Sequence, residues 1–230
     1  MTILNIEEKK ESNFPIFLRT RSFLPVILLI IFALIQGGCG GNKKKEPLGL
    51  YLLKPVPVKN LGLKTKNKKL IFENKEVKVS LKQKLSAGNS KGSGFFAVLL
   101  KARFILVEMT IESKKKKKII YNPIHTYLLA GSLDYKKPLD YPDLYMIASS
   151  VAGGSPPEAI LNSIRGLYYD LNTNLKPGEK KTKYLIFRPF SEKNTKALIV
   201  MKEFYVGTDT LALTFPFEMI KAASHKREKK

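Results

Sequence analysis

The sequence contains no tryptophan, one cysteine and two histidines. A single cysteine excludes an intrachain disulfide framework and a cysteine-based zinc site. His225 lies in the charged tail SHKREKK, so His125, in NPIHTYLL, is the one histidine that can act as a base within the fold. There is no P-loop, no Rossmann glycine pattern and no HExxH. Asp134, Asp140 and Asp143 have the oxygen chemistry for Ca²⁺ but not the spacing of an EF-hand. No catalytic residue, metal or cofactor is therefore expected. Acidic residues are also scarce: Asp and Glu number 19 against 41 Lys and Arg, a formal net charge of +22. That excess points to anionic partners such as a membrane surface, an anionic envelope polymer or nucleic acid. Lysines spread along the whole chain equally suit solvated faces. No aromatic-basic RNA signature occurs, and nucleic acid is not expected.

Long apolar runs are lacking too. The most apolar segment, Phe23 to Ile35, is thirteen residues. That is short of the ~20 residues of a spanning helix and within the ~7–15 of a secretory h-region. Arg19 and Arg21 precede it, and Gly37 and Gly38 offer small side chains before a cleavage point. The sole cysteine, Cys39, comes next, followed by Gly40, Gly41, Asn42 and the basic run Lys43, Lys44 and Lys45.

This segment resembles a bacterial lipoprotein signal peptide, whose lipobox ends in small residues and an invariant cysteine. Gln36 stands where that family usually has leucine. The resemblance implies that Cys39 receives a diacylglyceryl group, that cleavage makes it the first mature residue, and that its new amino terminus is acylated, for example by palmitate. It also implies a cell-envelope location, with the domain in the periplasm or outside the cell. The alternative is an uncleaved single-pass anchor, since the glycines extend the run to Gly41, near spanning length. Lys43, Lys44 and Lys45 suit an anionic lipid surface, at about 1 kcal/mol per lysine near it.

Four segments are expected: a signal peptide over 1–38, a Lys/Pro/Gly-rich tether over 39–69, a β-sandwich domain over 70–220 and a basic tail over 221–230. Within the tether, LGLYLL is also suited to dock as a first strand. From Leu70 the apolar period is two. Val77, Val79 and Leu81 share one strand face, and Ile105, Val107, Met109 and Ile111 share another. Phe95 to Leu100, uniformly apolar, reads as a strand buried on both faces. Lys114 to Lys118 read as an exposed turn. KALIVMKEFYV and DTLALTFPFEMI form a hairpin across Gly207 and Thr208, with Pro216 marking an edge strand. Seven or eight short strands predict an antiparallel sandwich. One excursion, Tyr141 to Gly166, holds a short helix capped by the box SPPE at Ser155 to Glu158, covering an end or edge of the sheet.

FILVEMTIESKKKKKIIYNP, YLLAGSLDY and NLKPGEKKTKYLIF are together similar to the immunoglobulin-like domains of secreted bacterial lipoproteins. Lys176, Pro177, Gly178 and Glu179 hold the characteristic turn. The resemblance covers about Phe104 to Phe187 and implies fold and location, not chemistry. Tyr135, Tyr141, Tyr145, Tyr168 and Tyr169 bracket the excursion as a candidate binding surface. The expected function is a lipid-anchored envelope lipoprotein, not an enzyme, whose sandwich binds an envelope protein or anionic envelope polymer. The alternatives are an anchored hydrolase using His125 and a single-pass protein presenting the same domain.

Overall fold

Alternation of apolar residues from Leu63 onward builds two antiparallel sheets that close on one apolar core. The structure, a computed structural model, describes residues 51–88, 92–114, 117–131, 134–190 and 195–221. The apolar segment, Cys39, Lys43, Lys44, Lys45 and the tail beyond Lys221 lie outside the described residues. The first sheet has seven strands: β1 (Tyr51–Pro55), β6 (Ile119–Tyr121), β7 (Thr126–Ala130), β8 (Asp134–Lys136), β9 (Thr173–Leu175), β11 (Lys196–Val206) and β12 (Asp209–Lys221). The second has five: β2 (Leu63–Lys66), β3 (Lys69–Glu73), β4 (Val77–Lys84), β5 (Ile105–Ser113) and β10 (Lys180–Phe187), in the order β10-β5-β4-β3-β2.

β11 organises the first sheet. One side pairs with β12 along its whole length, as the Gly207 hairpin predicts. The other side pairs with β7 at Ala197–Met201 and with β6 at Phe204–Val206. The switch coincides with a bulge between Met201 and Phe204, where an extra residue turns the strand. Inward-facing Leu213, Phe215 and Phe217 of β12 meet Val79, Leu81, Val107 and Met109 of the second sheet in the same core. The Pro177-Gly178 turn forms between β9 and β10: Glu179 N–H donates to the Lys176 carbonyl at 3.0 Å, and Gly178 takes φ 77°, as a type II turn requires.

Three helices, rather than one, form a further layer on the second sheet: α1 (Ser93–Lys101), α2 (Tyr141–Val151) and α3 (Pro157–Ile164). Phe95 to Leu100 is thus helix, not strand. Phe95, Phe96 and Leu99 recur at helical spacing and are buried against Leu106 of β5 and Ile186 of β10. α1 ends in a Schellman motif. Phe104 N–H donates to the Leu99 carbonyl and Arg103 N–H to that of Leu100, with Arg103 at φ 68° where glycine is usual.

The excursion holds two helices, and the SPPE capping box does not form. Pro156 is the N-cap of α3 and has no side-chain acceptor. The working cap lies earlier: the Asp140 carboxylate accepts from Asp143 N–H at 3.0 Å, with Pro142 in the first turn. The β10 edge is covered not by a helix, as the sequence suggested, but by the extended chain flanking the excursion. Leu139 and Tyr169 N–H donate to the Ile186 and Tyr184 carbonyls, and Tyr184 N–H donates to Leu167.

Two further expectations are corrected. Among the described residues the first strand starts at Tyr51, not Leu70, so β1 and β2 lie within the stretch read as tether. Tyr51, Leu52 and Leu53, the described end of LGLYLL, pair with β12, and Asn67 and Lys68, both at positive φ, form the tight turn between β2 and β3. Pro216 is on no edge, because β12 lies between β1 and β11. Its carbonyl accepts from Val56 N–H at 3.1 Å, so its nitrogen faces the same side, where β1 ends at Pro55. The reciprocal bond to the Val56 carbonyl is the one proline forgoes, just past the end of β1.

Two glycines beside α1 should respond in opposite ways. A Cβ on Gly92 would stand 2.6 Å from Ile164 Cγ2, at φ 76°. Gly92→Ala should cost about 2 kcal/mol from overpacking and backbone strain. Gly94 meets nothing within 4 Å, and Gly94→Ala should add about 0.5–1 kcal/mol. Urea unfolding of the two variants beside the parent checks both signs.

Candidate functional site

The segment before α2, the end of α3 and the chain leaving it toward β9 enclose a cleft of about 720 Å³. The pairing of Leu139 and Tyr169 to β10 fixes two of its walls to one strand edge. Pro138, Tyr141 and Pro142 supply apolar plates, and Asp140, Asp170 and Arg165 supply charge. Asp140 is held by its capping bond, and Asp143 by Arg188 at 2.7 Å.

The five tyrosines singled out from the sequence do not form one surface. Tyr141, Tyr168 and Tyr169 all line this cleft. Tyr141 stays 43% exposed, whereas Tyr168 and Tyr169 retain 4% and 1%. Adjacent residues on extended chain point to opposite faces. Tyr168 accordingly joins the helical cluster and Tyr169 the sandwich core. The Tyr169 hydroxyl donates to the Met109 and Lys181 carbonyls, both at 3.3 Å, and its ring meets Tyr121 edge-on. Its role is structural. Tyr145 ties α2 to α3, donating to Glu158 at 2.9 Å; that hydrogen bond to a carboxylate raises its pKa. Tyr135 is elsewhere, on the outer face of the first sheet. There its ring packs edge-on against Tyr127, and it stands in an apolar row with Leu129, Leu198 and Pro216.

Tyr168 is the unusual member. Its hydroxyl makes no hydrogen bond among the described residues, although the residue is buried. Burial first, then the nearby Asp170 carboxylate, pushes its pKa up to about 12. The other groups whose charges act on it, Tyr141, Arg165 and Asp140, also line the cleft. The hydroxyl itself opens to the cleft, because the one buried side-chain atom without a partner among the described residues is Arg103 Nη1; a ligand atom that bonded the hydroxyl would replace water, for a net gain of about 0.5–1.5 kcal/mol. Sequence reasoning weighed Asp140 only as a Ca²⁺ ligand and did not single out Arg165 or Asp170. The Asp-Tyr-Pro-Asp cap at 140–143 was the available signal for the first; nothing in the sequence marks the other two.

His125 ends a 3₁₀ turn, Pro123–His125, whose first residue is preceded by an Asn122 cap. Its Nε2 lies 3.1 Å from Glu203, which the β11 bulge brings forward, and the Tyr205 hydroxyl bonds the same carboxylate at 3.2 Å. No serine, threonine or cysteine is hydrogen-bonded to His125 among the described residues. Asp140 and Asp143 are engaged as described, and among the described residues no group of three His, Cys, Asp or Glu side chains could hold a metal. No described helix is long and apolar enough to cross a membrane. The chain matches no protein-family model, no curated protein and no solved structure.

The raised Tyr168 pKa sets an alkaline dependence. An unfolded tyrosine titrates near 10, so the folded state retains this proton to higher pH. The resulting stability is fully present below pH ~10 and is lost as pH rises through about 12. Tyr168→Phe, which has no proton to lose, should show a smaller fall in urea midpoint over that range than the parent. Equal falls would remove Tyr168 as a contributor.

Proposed function

We propose that this chain is a lipid-anchored lipoprotein of a bacterial cell envelope, held through Cys39, whose immunoglobulin-like sandwich acts as a binding module in the periplasm or outside the cell. The helical layer on the second sheet carries the binding site, and the ligand occupies the Tyr141–Tyr168 cleft. The observation that carries this reading is the 720 Å³ cleft, onto which Arg165, Asp170 and the Tyr168 hydroxyl open with no hydrogen-bond partner among the described residues. That volume is within the roughly 300–1,000 Å³ of small-ligand sites. Support for the anchor comes from the sequence: the sole cysteine follows a short h-region and Gly-Gly. Eleven residues separate Cys39 from Tyr51, where β1 begins. Fully extended, they reach about 40 Å, so the domain stays near the bilayer. The lysine excess then faces an anionic surface or envelope polymer.

Intact mass of the detergent-extracted protein should begin at Cys39 and include acyl mass, and Cys39→Ala should leave the precursor uncut. Mature protein that retains Met1 to Gly38 would instead support the single-pass reading.

The binding reading also separates cleft from histidine. In a strain lacking the protein, Tyr141→Ala should fail to restore the parental phenotype at normal protein level, while His125→Ala restores it. The reverse pattern would point to a hydrolase, because losing a general base typically costs about 10²–10⁴-fold in rate.

A further inference from the structure

We propose that the cleft binds a neutral oligosaccharide, with Tyr141 stacking on a sugar ring and Tyr168, Asp170 and Arg165 bonding its hydroxyls. This rests on the cleft being the binding site, and it names the ligand.

Charge decides against the ionic classes. Asp140, Asp143 and Asp170 face Lys137 and Arg165 around the cleft, with Arg188 already on Asp143. A phosphate or carboxylate would meet three carboxylates, and an amine would meet two cations. A ligand without net charge meets neither penalty.

Hydrogen-bonding capacity points the same way. Asp170, an acceptor, and Arg165, a donor, form no hydrogen bond or ion pair among the described residues. Asn162, which can do both, is likewise unengaged at the rim. The Tyr168 hydroxyl can donate or accept, and it too has no partner among the described residues, its ring buried and its hydroxyl open to the cleft. Few ligand classes present donors and acceptors at every ring position; sugars do, because each hydroxyl is both. The apolar plates match the other property of a pyranose, a face of C–H bonds that lies flat on an aromatic ring. Tyr141, 43% exposed at the start of α2, offers such a ring beside Pro142 and Pro138. The volume of about 720 Å³ accommodates more than one ring. The anionic polymer suggested by net charge belongs to the lysine-rich exterior, not to this cleft.

The test uses the full chain in detergent micelles, titrated calorimetrically with chitotriose, cellotriose and maltotriose, and with inorganic phosphate and spermidine as ionic probes. At least one trisaccharide should bind, and neither ionic probe should compete with it. Tyr168→Phe and Asp170→Asn should each weaken that binding about three- to tenfold, the loss of one hydrogen bond. Tyr141→Ala should weaken it at least as much, and Tyr141→Phe, which keeps the ring, should restore it. Near-ultraviolet circular dichroism and urea midpoints identify any variant that has lost its fold. Binding of phosphate or spermidine in the cleft, or of no sugar, overturns the proposal. So does sugar binding that these substitutions leave unchanged. A photo-crosslinker at Leu171, on the cleft wall, separates the two levels. If no sugar binds but a ligand crosslinks there in cells and Tyr141→Ala abolishes the crosslink, the cleft remains the site and only the ligand class fails. If neither occurs, both readings fail.

Discussion

β5 is apolar on both faces along its first half, and both layers built on it depend on that. Ile105, Val107 and Met109 face the other sheet, while Leu106 faces the helices with its cross-strand neighbour Ile186. A shift of one residue in the pairing with β10 would exchange the two sets. The helical layer has no comparable anchor: Phe96, Leu144 and Ile164 converge on the same two-strand patch. The cleft depends on it as well, because Leu139 and Tyr169 hydrogen-bond to β10 opposite β5. Sandwich core, helices and candidate site therefore share one register.

The parts of the fold with a strict period were legible. Alternation in β4, β5 and β12 identified strands and their inner faces, and Gly207 and Pro177-Gly178 identified turns. Phe95 to Leu100 failed because a run of apolar residues contains both periods. Only the partial exposure of Val98 and Leu100 beside buried Phe96 and Leu99 separates them, and exposure is not written in the sequence. SPPE failed for a different reason: proline at Pro156 fixed the chain start without the serine, while Asp140 had the better geometry one helix earlier. The site was half legible. A tyrosine-rich excursion was visible, but five tyrosines close in sequence went to four environments. Tyr168 and Tyr169, side by side, ended in separate cores because extended chain alternates.

Charge shows a similar division between composition and placement. Among the few acids, Glu73, Glu76, Glu108, Asp143, Glu179 and Asp209 each hold a lysine or arginine. Lys114 keeps the Glu73 pKa low, and the Lys176 backbone N–H, assisted by Lys181, keeps that of Glu179 low. Exposed pairs of this kind add little stability each. Their effect is to occupy many of the carboxylates; among the described residues Asp170, beside the buried ring of Tyr168, has neither a cation nor a hydrogen-bond donor. The net charge describes the exterior well and says little about the one concavity where charges nearly cancel.

The pairing of β1 with β12 has a consequence for how the molecule is made. Tyr51 lies opposite Lys221, so the first described strand must wait for the last. At about 5–20 residues per second, a ribosome needs on the order of ten to thirty seconds to bridge that interval. Throughout it, the apolar face of β1 and one edge of β12's future position are unprotected. In the second sheet the delay falls on one strand, since β2 to β5 are consecutive antiparallel neighbours apart from the α1 insertion and only β10 comes late. The chain therefore spends its vulnerable period with four strands of one sheet able to pair and the other sheet incomplete, and that interval is where a holding chaperone would have its longest access.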